Sequence, residues 1–249
     1  LNTYKKNKMS DLNTYYNSIA RKYGDLRNWD SPIPKRIVEI GRISEGTKVL
    51  DLGCGTGNLI SAVRTITGCI PYGLDASQKM LEVAKGKVRD GTFVHGNVSD
   101  IPFPNGSFDC VIGALFIHHV PSHLREKVIS ESYRVLSTGH LIIQTMSHQL
   151  IEKMGFGEFF PEALEVTRRG FPKIVELESL YDNAGFINVT SETVHDKPIT
   201  IGEFYNMAKN KVLSTLERIS PESYDEGMEK LRLYMEENPD RKFDRLMTL

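Results

Sequence analysis

The stretch Lys48-Val49-Leu50-Asp51-Leu52-Gly53-Cys54-Gly55-Thr56-Gly57-Asn58 constrains the fold of this chain more than any other. A short apolar run leads straight into a glycine-rich turn, and an apolar helical pattern then opens with Leu59, Ile60 and Val63. Strand, tight loop and helix in that order form the first half of a βαβ unit, with main-chain amides exposed at the helix N-terminus. Glycine in such a turn lets a ligand lie against the backbone, because no side chain holds it away.

The glycine spacing narrows the ligand. A dinucleotide fingerprint reads G-x-G-x-x-G, its third glycine allowing close helix packing beside a pyrophosphate. Here Gly53, Gly55 and Gly57 alternate, and Asn58 stands where that third glycine would fall. Asp51 lies just ahead of the loop, and an uncompensated carboxylate there would repel a pyrophosphate. The same acid attracts a ligand carrying an ammonium and a sulfonium group, so the local chemistry favours a cationic nucleoside over a nicotinamide dinucleotide. A second short strand, Cys69 to Asp75, ends on another acid. A carboxylate at that point can accept from both hydroxyls of a ribose, or it can cap the next helix.

Asp51-Leu52-Gly53-Cys54-Gly55-Thr56-Gly57 resembles the D-x-G-x-G-x-G signature of class I S-adenosylmethionine (SAM)-dependent methyltransferases. Downstream, Asp75-Ala76-Ser77-x-x-Met80-Leu81-x-x-Ala84 resembles the family's D-x-S-x-x-M-L-x-x-A. The resemblance implies SAM as the cofactor. It would be held by Asp51, Gly53, Cys54, Gly55 and Gly57 at the loop and by Asp75 at the ribose, with Ala76, Met80, Val98 and Ala114 along the cleft. Met80 would supply an adaptable apolar surface for the adenine ring. Where the family commonly has G-D-x-x-x-L-P-F, its acid accepting from the adenine amino group, this chain has Gly96-Asn97-Val98-Ser99-Asp100-Ile101-Pro102-Phe103. Asn97 stands in the acid's place, and its amide oxygen is expected to accept that bond instead. Arg134-Val135-Leu136-Ser137-Thr138-Gly139-His140-Leu141 resembles R-V-L-K-P-G-G-x-L, with Ser137, Thr138 and His140 in place of K, P and the second G, in what is expected to be a loop away from the cofactor. Tyr16, Ile19, Ala20 and Tyr23 share one helical face. In the family such a helix often folds over the cofactor, so Tyr16 and Tyr23 would touch SAM or the acceptor; packing on the core is the alternative use.

A fourth strand, Phe108 to Ala114, runs into Leu115-Phe116-Ile117-His118-His119-Val120-Pro121. Ligands of open α/β sheets sit beyond the carboxyl ends of the strands, which puts His118 and His119 near a pocket mouth. Neighbouring residues on a helix point apart, so the pair lacks metal-ligand spacing and no metal is expected. One of them is a candidate general base, since histidine titrates near neutral pH; packing and loop hydrogen bonding compete for the same residues.

A chain of 249 residues suits one domain. The expected fold is α/β: a Rossmann-like seven-stranded sheet, its last strand antiparallel, with helices on both faces. A lid helix over residues 10–24 would precede a core over about 30–195 and 242–249. A sixth strand is expected from Phe186 to Val194, and amphipathic helices from Ile201 to Ile219 and from Pro221 to Glu237 would form a cap over about 199–238. A homodimer interface is the competing use of those helices. Aromatic and methionine residues between 146 and 235 point to a largely apolar acceptor pocket. The formal net charge of −1 leaves no electrostatic footprint for nucleic acid or an anionic membrane, and no apolar run approaches the roughly 18 residues that span a bilayer. Cys54, Cys69 and Cys110 lack metal-ligand spacing and read as reduced thiols of a cytoplasmic protein, with one disulfide among them left open. Residues 1–8, ahead of Met9, read as a leader.

On this reading the chain transfers the SAM methyl group to O or N of a small-molecule acceptor by direct displacement, and the protein aligns the nucleophile and excludes water. Two alternatives keep the same cofactor residues. One is C-methylation of a quinone-type or other activated ring. The other is a SAM-binding regulatory protein without transfer activity, which a closed pocket beside the methyl group would favour.

Overall fold

A computed structural model describes residues 14–20, 22, 23 and 31–249. The expected leader and residues 10–13, 21 and 24 of the expected lid lie outside them. Helix α1 covers residues 14–20 and 22–23. It is followed by α2 (Ile33–Gly41), β1 (Lys48–Leu52), α3 (Asn58–Thr67), β2 (Ile70–Asp75), α4 (Gln78–Lys87), β3 (Thr92–His95) and β4 (Phe108–Ala114). Helix α5 (Ser122–Val135) then leads directly into β5 (Leu136–Gln144).

These five strands form one parallel sheet in the order β3-β2-β1-β4-β5. Side chains alternate along each strand, so β1 feeds two cores. Val49 joins Cys110, Ile112 and Ile142 under α2, α3 and α4, whose Ile37, Ile60 and Leu81 are fully buried. Leu50 and Leu52 join Val111 and Ile143 under α5 and the later helix α8 (Ile174–Ala184), through Val128, Ile129 and Leu177. Burial on both faces is why β1 reads as a continuous apolar run broken only by Asp51. The strand order reverses between β1 and β4, and a ligand crevice is expected at that switch point.

The second half comprises α6 (His148–Glu152), α7 (Pro161–Gly170), α8 (Ile174–Ala184), β6 (Thr193–Thr200), α9 (Ile201–Lys209), α10 (Pro221–Glu237) and β7 (Lys242–Thr248). Thr200 opens α9 with a capping box: its hydroxyl accepts from the Glu203 amide at 3.2 Å while Glu203 accepts from the Thr200 amide at 2.8 Å. Ser220 caps α10 ahead of Pro221. A third apolar cluster, with Phe160, Ala163, Ile201, Phe204 and Leu231 at its centre, ties α7, α9 and α10 to Phe243 of β7. Gly227 lets α10 close on this cluster, because a Cβ there would lie 2.3 Å from the Phe160 ring. Among the described residues no helix is long and apolar enough to cross a membrane, and Cys54, Cys69 and Cys110 are buried free thiols.

Several expectations are corrected. The single seven-stranded sheet is instead a five-stranded parallel sheet and a separate antiparallel β6–β7 ribbon. The ribbon touches the sheet's edge through one bridge, Thr145 to Thr248, whose two amides donate to each other's carbonyls at 2.8 and 3.0 Å. The sixth strand begins at Thr193 rather than Phe186. Phe186 is drawn aside by edge-on contacts with Tyr133 and Tyr181, and Asn188 takes a left-handed turn with φ 58°. Helix α9 stops at Lys209, where Asn210 caps it through Asn206 and Lys211 turns left-handed at φ 51°; only a 3₁₀ turn, Leu216–Arg218, follows before α10. The expected loop at Ser137–His140 belongs to β5, which pairs in parallel with β4 and at the register irregularity beside Asp109 runs so close that a Cβ on Gly139 would fall 1.5 Å from the Asp109 carbonyl oxygen.

Candidate active site

The glycine loop leaves β1 and turns back at Cys54, whose amide donates to the Leu74 carbonyl at 3.1 Å. Gly53 is left-handed at φ 61°, and a Cβ there would meet Cβ of Phe116 at 2.6 Å. No other residue fits. Gly55 is also left-handed, at φ 52°, but a Cβ there would enter open space. Its amide donates instead to Oδ2 of Asp75 at 2.8 Å, while the Ser77 amide donates to Oδ1 at 2.8 Å. Two main-chain bonds thus fix the Asp75 carboxylate at the end of β2 and leave its second lone pairs for a ligand. Burial pushes Asp75 above the usual carboxylate range, and the Ser77 and Gly55 amides pull against it. Ser77 itself caps α4 by accepting from the Met80 amide at 3.2 Å.

Asp51 lies deeper. It is 1% exposed, and its Oδ2 has no hydrogen-bond partner among the described residues. Burial first, and then the Asp75 charge, hold it well above the normal carboxylate range, with the Ile60 amide offsetting part. An orphaned acid oxygen under a backbone cradle is an arrangement that a cationic ligand completes.

A cleft of about 150 Å³ opens above these groups. Of the residues expected at the cofactor, Gly53, Gly55, Asp75, Ala76 and Met80 line it, as do Asn97, Val98, Ala114, Tyr16 and Tyr23. Asp51, Cys54 and Gly57 do not form its surface. The Cys54 thiol packs against the Gly73 main chain, and Gly57 begins α3 facing Ala84. The Asn97 side chain also departs from expectation, since its Oδ1 already accepts from the Ser99 amide and hydroxyl, each at 3.0 Å.

Helix α1 crosses the mouth of the cleft. Asn17 accepts from the Ser77 hydroxyl at 2.7 Å, and Tyr16 Oη is hydrogen-bonded to His119 Nε2 at 2.8 Å. On its far side the Tyr15 hydroxyl donates to the Lys211 carbonyl just beyond α9. A second cavity, of about 300 Å³, adjoins the cleft, and Tyr16, Tyr23, Leu115 and His119 line both. His118 belongs to the second cavity alone, its ring stacked on Phe171 at 4.0 Å and 12°. The two histidine rings lie 3.8 Å apart. Phenylalanines 156, 160, 171, 204 and 243 form much of the remaining wall, with Lys153, Asp244 and Arg245 as its charged members.

Several of these residues carried no sequence signal. Leu115 adopts φ 53°, a strained value for leucine, at the junction of the two cavities. Phe116 fills the space left by two glycines, Gly53 and Gly113; that pairing is the one trace the sequence holds of it. Asn17 and Phe171 are legible only through contacts distant in sequence.

A methyltransferase-domain family model matches residues 49–139. The demethylmenaquinone methyltransferase of Anoxybacillus flavithermus is 31% identical over 201 residues, covering 70% of this chain and 80% of that protein. The Staphylococcus aureus enzyme of the same name is 30% identical over 204 residues, covering 70% and 84%. Among solved structures, a candidate methyltransferase from an antibiotic biosynthesis pathway of Anabaena variabilis superposes with a TM-score of 0.70 at 19% identity, covering 87% of this chain and 95% of that one. Phosphoethanolamine N-methyltransferase 2 of Haemonchus contortus, solved with SAM, gives a TM-score of 0.55 at 22% identity, covering 88% of this chain and 52% of that one. With the glycine loop and its acids in place, the chain belongs to the class I SAM-dependent methyltransferases.

Proposed function

We propose that this enzyme methylates a small, largely apolar acceptor whose nucleophile starts out protonated, and that His119 is the base. The observation that carries this reading is the position of His119 on the wall common to the cofactor cleft and the second cavity. SAM supplies an electrophilic methyl group on a sulfonium leaving group. Asp75 would hold its ribose, Met80 its adenine, and the buried Asp51 its ammonium across the Gly53–Gly55 main chain. His119 takes the proton from the acceptor as the nucleophile attacks. The hydrogen bond between His119 Nε2 and Tyr16 Oη sets the imidazole's orientation, Nε2–H donating to the hydroxyl so that Nδ1 keeps the basic lone pair, and α1 keeps water from the junction. His118, stacked on Phe171, supports the ring of its neighbour.

An oxygen or nitrogen nucleophile is the first reading, because either needs a base when it arrives as a hydroxyl or an ammonium. The second reading, C-methylation of a quinone-type ring, is favoured by the names of the Anoxybacillus and Staphylococcus relatives. The same base would serve it, since ionising a ring hydroxyl loads electron density onto the neighbouring carbon. A wall of phenylalanine suits a flat ring in both cases. The adjoining cavity argues against a purely regulatory binder, which has no use for one. Helix α10 spends its apolar face on the chain's own third cluster, which favours the cap over the dimer interface. Three buried thiols suit the reducing cytoplasm.

The test is incubation of the full chain with SAM and a panel of phenols, hydroquinones and amines, followed by mass detection and NMR of the product. Methylated oxygen or nitrogen supports the first reading, and methylated ring carbon the second. Stoichiometric SAM binding with no product from any class would return the chain to the regulatory reading.

A further inference from the structure

Asn97 lies directly beyond β3, in the turn that also forms the rim of the cofactor cleft. His95 pairs with Asp75 across β2 and β3, and the Gly96 amide donates to the Asp75 carbonyl at 3.0 Å. Asn97 therefore sits one strand outward from the acid assigned to the ribose, where the attached purine would reach.

The orientation of its amide is dictated locally. The Ser99 main-chain N–H can only donate, so the atom 3.0 Å from it must be the amide oxygen. The Ser99 hydroxyl donates to that same oxygen, also at 3.0 Å. With Oδ1 engaged twice, the N–H donors of Nδ2 are the side-chain polar groups Asn97 has left for the cleft it lines. A carboxylate in this turn would keep one oxygen on Ser99 and present the other, an acceptor, at the same spot. Replacing that acid by Asn97 inverts the polarity of the purine contact.

We propose that Asn97 makes this enzyme indifferent to the exocyclic amino group of its nucleoside, so that a purine lacking the amino group is held as well as adenine. An amino group can only donate to a neutral side chain here, and a donor facing a donor gains nothing. The inference rests on the placement of the adenosyl group in this cleft. Its test uses calorimetric affinity of the full chain for S-adenosylhomocysteine and for the analogue with hydrogen in place of the 6-amino group. The wild-type chain should bind the two within about threefold. Asn97→Asp keeps the Ser99 turn and restores an acceptor, and should favour the adenosyl form by about fivefold, the worth of one hydrogen bond of ~1 kcal/mol. A wild-type preference of fivefold or more for the adenosyl form, or an Asn97→Asp ratio equal to wild type, would overturn the inference while leaving the cofactor reading intact. Failure of both nucleosides to bind would overturn the cofactor reading, and this inference with it.

Discussion

The two adjoining cavities are made of different material. Main chain builds the cofactor cleft: left-handed glycines at 53 and 55, amides of Gly55 and Ser77 on Asp75, and the ends of parallel strands. Side chains build the neighbouring cavity, with five phenylalanines and four methionines drawn from helices, turns and strands between residues 146 and 247. A main-chain site is set by backbone conformation, so few sequences can make it. A side-chain cavity of the same volume can be lined in many ways, because apolar residues of similar size replace one another at modest cost. On the proposed reading, one region would hold an invariant cofactor, and the other could be reshaped around different acceptors.

The sharpest way to break that division is at His119, one of the four residues the two cavities share. His119→Ala should lower turnover by about 10²–10⁴-fold if His119 is the general base, while calorimetric SAM affinity changes by less than about threefold. His118→Ala, on the acceptor side only, should cost far less in turnover. Equal and small losses from both would return the pair to packing duty and leave the junction without a base.

Next in size is the cleft itself. Asp75→Ala removes a charged acceptor that two amides hold in place, and should weaken SAM binding by about 1–3 kcal/mol. The orphaned Gly55 and Ser77 amides should also lower the melting temperature of the cofactor-free protein. Affinity equal to wild type would mean that the ribose is held elsewhere.

This contrast also decides what could be read from the sequence. The strands β1, β2 and β4 and the helices α3 and α4 were legible because each carries a local apolar pattern, a cap or a glycine stop. Asp75, Met80 and Gly55 were legible because their spacing from the loop is fixed by one βαβ unit. The ribbon β6–β7 was not. Its late start at Thr193 goes with Phe186 packing on Tyr133 and Tyr181 instead of entering a strand, a tertiary preference no local pattern encodes. The Tyr16–His119 bond joins residues 103 positions apart, and Asn97 showed its amino acid but not its orientation. Ser99, two residues on, sets that orientation, and its part in the turn emerges only in three dimensions.

Asp51 offers a subtler separation, through pH. Its folded-state carboxyl titrates well above the ordinary 3.8 of a free aspartate, chiefly because it is buried. The unfolded chain therefore releases this proton first, so the cofactor-free protein loses stability as pH rises above about 3.8 and levels off only past the raised folded value. Asp51→Asn should remove that fall, raising the cofactor-free melting temperature at neutral pH while weakening SAM binding. A ligand ammonium beside the ionised acid should make the SAM-induced rise in melting temperature grow with pH in the wild type and stay flat in the variant. A wild-type rise independent of pH would place the ammonium away from Asp51.

The smallest effect concerns α1. Tyr16→Phe deletes one hydroxyl and keeps the ring that lines both cavities and packs edge-on against Tyr23 and His119. The lost bond to His119 is worth about 0.5–1.5 kcal/mol, which corresponds to a drop in turnover of roughly two- to tenfold. If Tyr16 only orients the imidazole, KM for SAM should hold and the pH–rate profile should keep its shape with a lower plateau. If the hydroxyl instead anchors α1 over the cleft, SAM affinity should fall with turnover, and Asn17→Ala, which cuts the bond to Ser77 at the other side of the cleft mouth, should produce the same paired loss. The two variants together tell whether α1 serves the base or the cofactor, and so to which of the two cavities it belongs.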